Sequence, residues 1–175
     1  MSTISENTCT EFHKTTASFL KTLTSLSEEQ LNFYPKKGWS AGQIGEHVLK
    51  SYASVNTLNG NTKKTERKID QKVKPVKALF TDFSIKMDSP IAIIPSKEKI
   101  SKNYLIDNLE DRIEQIKAVI QNKDLSLTCI DFSIPEYGEF TRLEWIWFNI
   151  YHTQRHIFQL ENTVQSTIVK ETSSK

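Results

Sequence analysis

The chain has 175 residues, of which 37% are hydrophobic, 10% aromatic and 25% charged. That length buries a sizeable core, and the apolar and aromatic content excludes an intrinsically disordered chain. The 23 Lys and Arg nearly balance the 21 Asp and Glu, a formal charge of +2, which offers no general electrostatic case for a nucleic-acid or membrane-surface partner.

With 5 Gly and 5 Pro the chain is poor in turn residues, so an all-α class is expected rather than a turn-rich β fold. Cys9 and Cys129 form no disulfide framework and have no metal-ligand spacing, which suits a reducing compartment. Residues 1–20 hold no apolar leader and no stretch is long enough to span a bilayer, so a cytoplasmic location is expected.

Phe12, Thr16, Phe19, Leu20, Leu23 and Leu26 recur at helical spacing and predict a first helix from about Thr8 to Leu26. Ser27-Glu28-Glu29-Gln30 is a capping-box pattern for a short piece that ends before Pro35. Lys37-Gly38 turns the chain, and Ser40-Ala41-Gly42-Gln43 is a second capping box. It opens a long helix with Ile44, Val48, Ser51, Tyr52, Val55 and Leu58 on one face and a stop at Asn59-Gly60-Asn61. Segment 61–77 then carries net +5 from Lys63, Lys64, Arg67, Lys68, Lys72, Lys74 and Lys77 against Glu66 and Asp70. A solvated connection is expected there; a phosphate-contacting patch is the sharper alternative, but it lacks interleaved aromatics.

Pro75, Pro90 and Pro95 bracket residues 76–94, whose structure the sequence does not define. A third long helix is predicted from about Ser96 to Gln121 on the stripe Ile100, Tyr104, Leu105, Leu109, Ile113, Ile116 and Ile120. Residues 122–140 read as a loop punctuated by Pro135 and Gly138. Thr141-Arg142-Leu143-Glu144 is a third capping box and opens a last helix to about Thr163; the Ser/Thr-rich tail 164–175 is expected to fray. Four long amphipathic helices with two long connections predict a four-helix bundle forming one domain over residues 1–163.

Chemistry concentrates in four histidines. His152 and His156 are spaced i, i+4, which on a helix puts both imidazoles on one face, within reach of one metal ion. The spacing alone is weak, and Thr153 stands where a zinc-protease helix has its Glu. His47 falls within the apolar face of the second long helix. It is either a core histidine hydrogen-bonded to a Ser, a Tyr or a backbone carbonyl, or a third ligand. With all three on bundle-facing sides, a metal site is favoured over three satisfied core histidines. His13 has no partner at metal spacing and reads as a surface or boundary residue. Trp39, Trp145 and Trp147 read as core or interface aromatics, with Trp39 also a candidate pocket wall. Cys9 and Cys129 read as ordinary thiols.

Trp39-Ser40-Ala41-Gly42-Gln43-Ile44-Gly45-Glu46-His47-Val48 resembles the Trp-Ser…His-Leu motif of the DinB/YfiT-like proteins, small proteins regarded as metal-dependent enzymes. Gly138-Glu139-Phe140-Thr141-Arg142-Leu143-Glu144-Trp145, followed by His152, His156 and Gln159-Leu160, resembles the family's last helix. Ser89-Pro90-Ile91-Ala92-Ile93-Ile94-Pro95 falls where the family has a similar connection. The resemblance runs to about Glu161, although the basic segment does not map onto the family pattern. It implies an up-down-down-up four-helix bundle, frequent homodimers and a three-histidine divalent metal site, to which His47, His152 and His156 correspond one for one.

Three neutral imidazoles leave a tetrahedral Zn²⁺ one open position, the arrangement of catalytic rather than structural zinc. A water there ionises near pH ~7 and a thiol ionises outright, so the nucleophile would be a metal-bound water or thiolate, and no catalytic side chain is assigned. One divalent ion is expected, Zn or Ni first, with Fe, Mn or Cu also suited to such ligands. The function this implies is a metal-dependent hydrolase or thiol S-transferase acting on a small molecule, with a low-molecular-weight thiol as one candidate substrate. The alternatives are a non-enzymatic metal- or ligand-binding stress-response module and a plain helical interaction protein with core histidines. By helical offset Gln43, Asn149 and Gln159 are either partners for the ligands' other ring N–H or ordinary polar residues. Glu46, a tempting general base, points about 100° away from His47 and is expected to face solvent.

Trp145-Ile146-Trp147-Phe148, then Ile150 and Tyr151, step around the last helix and cannot all face one core. Either the chain's own connection 76–95 covers the excess or a second subunit does. The family resemblance favours the homodimer.

Overall fold

The computed structural model describes residues 3–173, with side chains described to residue 165. Three capping boxes set helix starts as the sequence predicts. Ser27 and Gln30 exchange hydrogen bonds ahead of α2 (Glu28–Leu31), and Ser40 and Gln43 do so ahead of α3 (Ala41–Ser51). Thr141 donates its N–H to Glu144 Oε2 at 2.9 Å and accepts from the Glu144 N–H at 3.1 Å, opening α7 (Arg142–Ser173). Each box supplies partners for N–H groups that the first helical turn leaves over.

The remaining boundaries move. The first helix, α1, spans Thr3–Ser25, starting before the expected Thr8. The second long helix is broken: after Ser51 the Ala53 N–H turns back to Lys50 O, and α4 restarts at Ser54 and ends at Asn59, on the expected stop. Ser51 Oγ donates to Val48 O at 2.7 Å, a back-bond that loosens a helix ladder at such a point. The third long helix, α6 (Lys102–Asn122), starts later than expected, because Ser101 rather than Ser96 caps it. α7 continues to Ser173, beyond the stop expected near Thr163; the fraying expected of 164–175 falls largely outside the described side chains.

α1 packs on α6 and α7, and α3 packs on α6 and α7 from the other side, which closes a four-helix bundle with α4 extending α3 along α6. Phe12, Phe19, Leu23, Ile44, Val48, Leu109, Ile116, Ile146 and Ile150 are fully buried between them; burying each such side chain stabilises by about 1.5–3 kcal/mol relative to leaving it exposed. Close approach matters at Gly45, where a Cβ would meet Leu105 Cδ2 at 2.7 Å and Leu23 Cδ1 at 3.3 Å. The missing side chain lets α3 lie deep in the groove two residues before His47.

The long connections are more ordered than their composition suggests. β1 (Thr62–Lys63) pairs antiparallel with β2 (Thr128–Cys129), joining the two connections, and Asp131 accepts from the Asn61 N–H at 2.7 Å and from its side-chain amide at 3.0 Å. The basic segment is only partly the solvated connection expected. Lys63, Lys64, Lys68, Lys74 and Lys77 are exposed, but Arg67 and Lys72 are drawn in against the start of α7.

Residues 76–94, undefined by sequence, hold most of α5 (Val73–Thr81) and one 3-10 turn, Ile91–Ile93. α5 lies along the outer face of α7. Phe80 meets Phe148 edge-on at 5.1 Å, Phe83 stacks on Phe158 at 4.1 Å, and Arg155 donates to Asp82 O at 2.9 Å and also to Ile85 O. The loop before α7 covers the next face, with Phe132 at 6.0 Å and Phe140 at 5.4 Å from the Trp145 ring. The chain's own connections thus cover much of the apolar excess of α7.

Candidate metal centre

α3 and α7 face each other, and three rings meet between them. His47 is 3% exposed, His152 6% and His156 7%. Their Nε2 atoms converge: His47 to His152 is 3.0 Å and His156 to His152 is 3.1 Å. The i, i+4 step on α7 supplies two rings one turn apart, and α3, packed on α7, supplies the third.

The other nitrogen of each ring fixes where its proton sits. His47 Nδ1 lies 2.8 Å from Ile93 O, a group that only accepts, so Nδ1 carries the hydrogen. Ser51 Oγ gives its own hydrogen to Val48 O and can only accept from His152 Nδ1, at 3.4 Å. His156 Nδ1 lies 2.9 Å from Gln159 Oε1. With its hydrogen on Nδ1, as these oxygens favour, each neutral ring turns an Nε2 lone pair toward the other two.

Burial holds the rings neutral. It pushes His47 below its usual value despite the Ile93 carbonyl. His152 falls well below, through burial and then the neighbouring His156 and His47, and His156 falls to about 3, through burial and then His47. A proton is thus a poor candidate for the shared partner. Three neutral nitrogen donors within 4.8 Å of one another fit a divalent transition ion, and this group can hold a metal.

The walls are aromatic. Trp39 lies 4.8 Å from the His47 ring, as its candidate role as a pocket wall requires. Phe148 stacks parallel to His152 at 5.9 Å and Phe80 meets it edge-on at 5.5 Å. Two surface clefts of about 610 Å³ each open elsewhere, one around Lys63, Arg67 and Lys72 and one around Ile4, Val73 and Trp147. Neither is lined by a histidine of the cluster.

Of the three residues offset by a helical turn, only Gln159 reaches its histidine. Gln43 instead closes its capping box and donates to Ser96 O at 2.8 Å, and Asn149 exchanges hydrogen bonds with Ser54. Glu46 does not point to bulk solvent as expected. Its Oε2 accepts from the Ser96 N–H at 2.6 Å and its Oε1 pairs with Lys50 at 3.1 Å, so it is engaged in structure and poorly placed as a base. His13 is exposed and outside the cluster, Cys9 is half-buried and Cys129 is buried. The Cys129 thiol is pushed up to about 11 by burial, the opposite of activation. Sequence reasoning missed Ile93 and Ser51 as ring partners, the first because a backbone carbonyl leaves no mark in the residue type.

A second polar cluster sits at the start of the same helix. The Glu144 carboxylate is fully buried and takes a fork from Arg67, both contacts at 2.6 Å, plus the N–H groups of Lys72 at 2.8 Å and Thr141 at 2.9 Å. Arg142, also buried, donates to Leu58 O at the end of α4 and to Asp124 O.

The DinB superfamily model matches residues 11–160 of the chain. Neither the curated proteins nor the solved structures contain a match. No helix among the described residues is long and apolar enough to cross a membrane.

Proposed function

The chain belongs to the DinB superfamily, and on that premise we propose that it is a metal-dependent enzyme whose ion is held by His47, His152 and His156 within a single domain over residues 1–163. The observation that carries the reading is the convergence of three Nε2 atoms at 3.0 and 3.1 Å on rings whose Nδ1 atoms each meet an oxygen. Zn or Ni suits three imidazoles best, with Fe, Mn or Cu as further candidates. Such an ion, when bound by the three histidines, would supply Lewis acidity toward a water or a thiol. The chain's part is to hold the rings neutral and oriented through Ile93, Ser51 and Gln159, and to line the site with Trp39, Phe80 and Phe148 so that charge develops in a poorly hydrated place.

The reaction class is a hydrolysis or a thiol S-transfer on a small molecule, with a low-molecular-weight thiol as one substrate. The depth of the rings favours a second reading, a non-enzymatic metal-binding module. Elemental analysis of protein purified without added metal, followed by turnover assays with thiols and electrophiles against ester and amide substrates, tests both. About one ion per chain and turnover lost on chelation are expected. Metal without turnover leaves the binding module, and no metal removes both readings. A homodimer is proposed on the family resemblance alone, since α5 and the loop before α7 supply much of the cover that a partner would give. Light scattering at tens of micromolar decides, a mass near 20.2 kDa meaning a monomer.

A further inference from the structure

Residues 93–96 are tied down along their backbone by one face of α3. Gln43 Nε2 donates to Ser96 O at 2.8 Å, the Ser96 N–H donates to Glu46 Oε2 at 2.6 Å, and Lys50 Nζ donates to Ile94 O at 2.8 Å. Glu46 and Lys50 also pair with each other across one helical turn. At the head of this strap the Ile93 carbonyl takes the His47 Nδ1 hydrogen. The rest of the segment is anchored by the buried Pro95, by its own 3-10 turn and by Tyr34 Oη donating to Lys97 O at 3.0 Å, while Ile91 is 90% exposed, Ile94 is 46% exposed, and no strand or long helix lies between Asp82 and Ser101. The polar ties on the backbone next to the carbonyl that meets His47 Nδ1 thus come from α3 itself, among them those of the residues one position before and three positions after the histidine.

We propose that Glu46 and Lys50 are positioning residues of the histidine cluster, clamping the 93–96 strap so that the Ile93 carbonyl keeps the hydrogen on Nδ1 of His47 and its Nε2 lone pair turned toward His152 and His156. Neither residue touches the ring nitrogens, and the ion pair is not itself the point. The carboxylate is a charged acceptor for one backbone N–H and the ammonium a charged donor to one backbone C=O, contacts stronger than their neutral equivalents. Losing the clamp frees Ile93 O to leave Nδ1; a neutral imidazole without that partner exchanges its hydrogen between its two nitrogens, and the Nε2–H form cannot ligate through Nε2. Outer partners of metal-binding histidines typically govern affinity by about 10–100-fold.

This inference rests on the metal reading for its consequence, but not for its geometry, so two readouts are needed. Zn²⁺ affinity is measured by competition with a chromophoric chelator for wild type, Glu46→Ala, Glu46→Gln and Lys50→Met. The ¹⁵N spectra of the imidazoles are recorded on the same metal-free proteins. Glu46→Ala is expected to weaken Zn²⁺ about tenfold and Lys50→Met less, whereas Glu46→Gln, which keeps an oxygen acceptor for the Ser96 N–H, recovers most of the loss. His47 is expected as the Nδ1–H form in wild type and as a mixture in Glu46→Ala. A purely structural role would lower the melting temperature of Glu46→Ala while leaving affinity and tautomer unchanged, and that result overturns the proposal. Should Glu46→Ala fail to fold, Ser96→Pro removes the same N–H and gives the same two readouts. A wild type that binds no Zn²⁺ defeats the metal reading, and the clamp is then judged on the His47 tautomer alone.

Discussion

Two buried polar clusters lie on α7, and they are built on opposite principles. At the start of the helix the Glu144 carboxylate has each oxygen paired twice, by Arg67, Lys72 and Thr141, all from this chain. Further along, His152 and His156 face His47 with three acceptors and no donor. The first cluster is complete: charge, countercharge and hydrogens close within the polypeptide. The second is complete on its outer side only, where Ile93, Ser51 and Gln159 fix the rings. Burial costs polar groups free energy unless they are partnered. A buried cluster that its own chain satisfies is architecture, and one whose lone pairs the chain gathers without answering is built for something from outside.

The contrast breaks most visibly at Arg67. Arg67→Met leaves Glu144 buried without its countercharge and is expected to cost about 3–5 kcal/mol in denaturant unfolding. Adding Glu144→Gln should restore part of that loss, and Zn²⁺ affinity of the folded fraction should stay near wild type. The histidine cluster should behave the other way round. His47→Ala, His152→Ala and His156→Ala are each expected to weaken metal binding by more than about a hundredfold, some 2.7 kcal/mol, with less loss of metal-free stability than Arg67→Met. His13→Ala should change neither. Full occupancy in the triple histidine variant would end the assignment.

Chelation sharpens the same difference. The core is supplied by apolar faces on all four bundle helices, so the helical circular dichroism at room temperature should survive removal of the ion. The melting temperature should fall as the native state loses the free energy of binding, about 2.7 kcal/mol at an ion concentration a hundred times its Kd. Loss of helicity on adding chelator would show that the histidines are architecture after all.

Beside the two clusters runs a neutral contact, Tyr52 Oη to Thr153 Oγ1 at 2.7 Å, with Thr153 donating in turn to Asn149 O. Tyr52→Phe should cost about 1 kcal/mol in unfolding and leave metal affinity unchanged.

The smallest effect belongs to the closed end. The Ser126 hydroxyl and then the Ser126 N–H hold the Asp124 carboxyl below the usual carboxylate range. A carboxyl whose folded value is lowered stabilises the fold above its unfolded value and loses that contribution as pH falls through the folded one. Asp124→Asn should therefore be slightly less stable than wild type at neutral pH, a gap that closes well below pH 3.8. A gap that persists in acid would assign it to side-chain shape instead of charge.

What was legible in the sequence was what lies close together along it. The three capping boxes join residues three apart, and His152 and His156 stand four apart. The family motif around Trp39 and His47 is local too. What escaped is contact between distant segments. Arg67 reads as one more cation in a basic stretch until Glu144 is seen across from it. Glu46 is turned about 100° around α3 from His47, and only the path of residues 93–96 reveals that its side of the helix is covered. The α5 helix was hidden because Pro75 stands in its first turn, a position where proline is tolerated, and because a nine-residue helix offers too few turns for a periodic signal. The broken second helix was hidden because Ser51 and Tyr52 continue the apolar face through the break.

His47 and His152 meet across 105 positions of chain. Loop-closure entropy rises with the logarithm of the intervening length, so this meeting is among the last that a chain emerging from its N-terminus can make. While the first helices are folding, the growing polypeptide holds one histidine of the cluster and has no multidentate grip on a metal. The pair on the last helix arrives together, one turn apart, and gains its third member only when that helix docks against α3. If the three histidines hold an ion as proposed, assembly order would reserve full three-point capture of it for a molecule whose bundle has already closed.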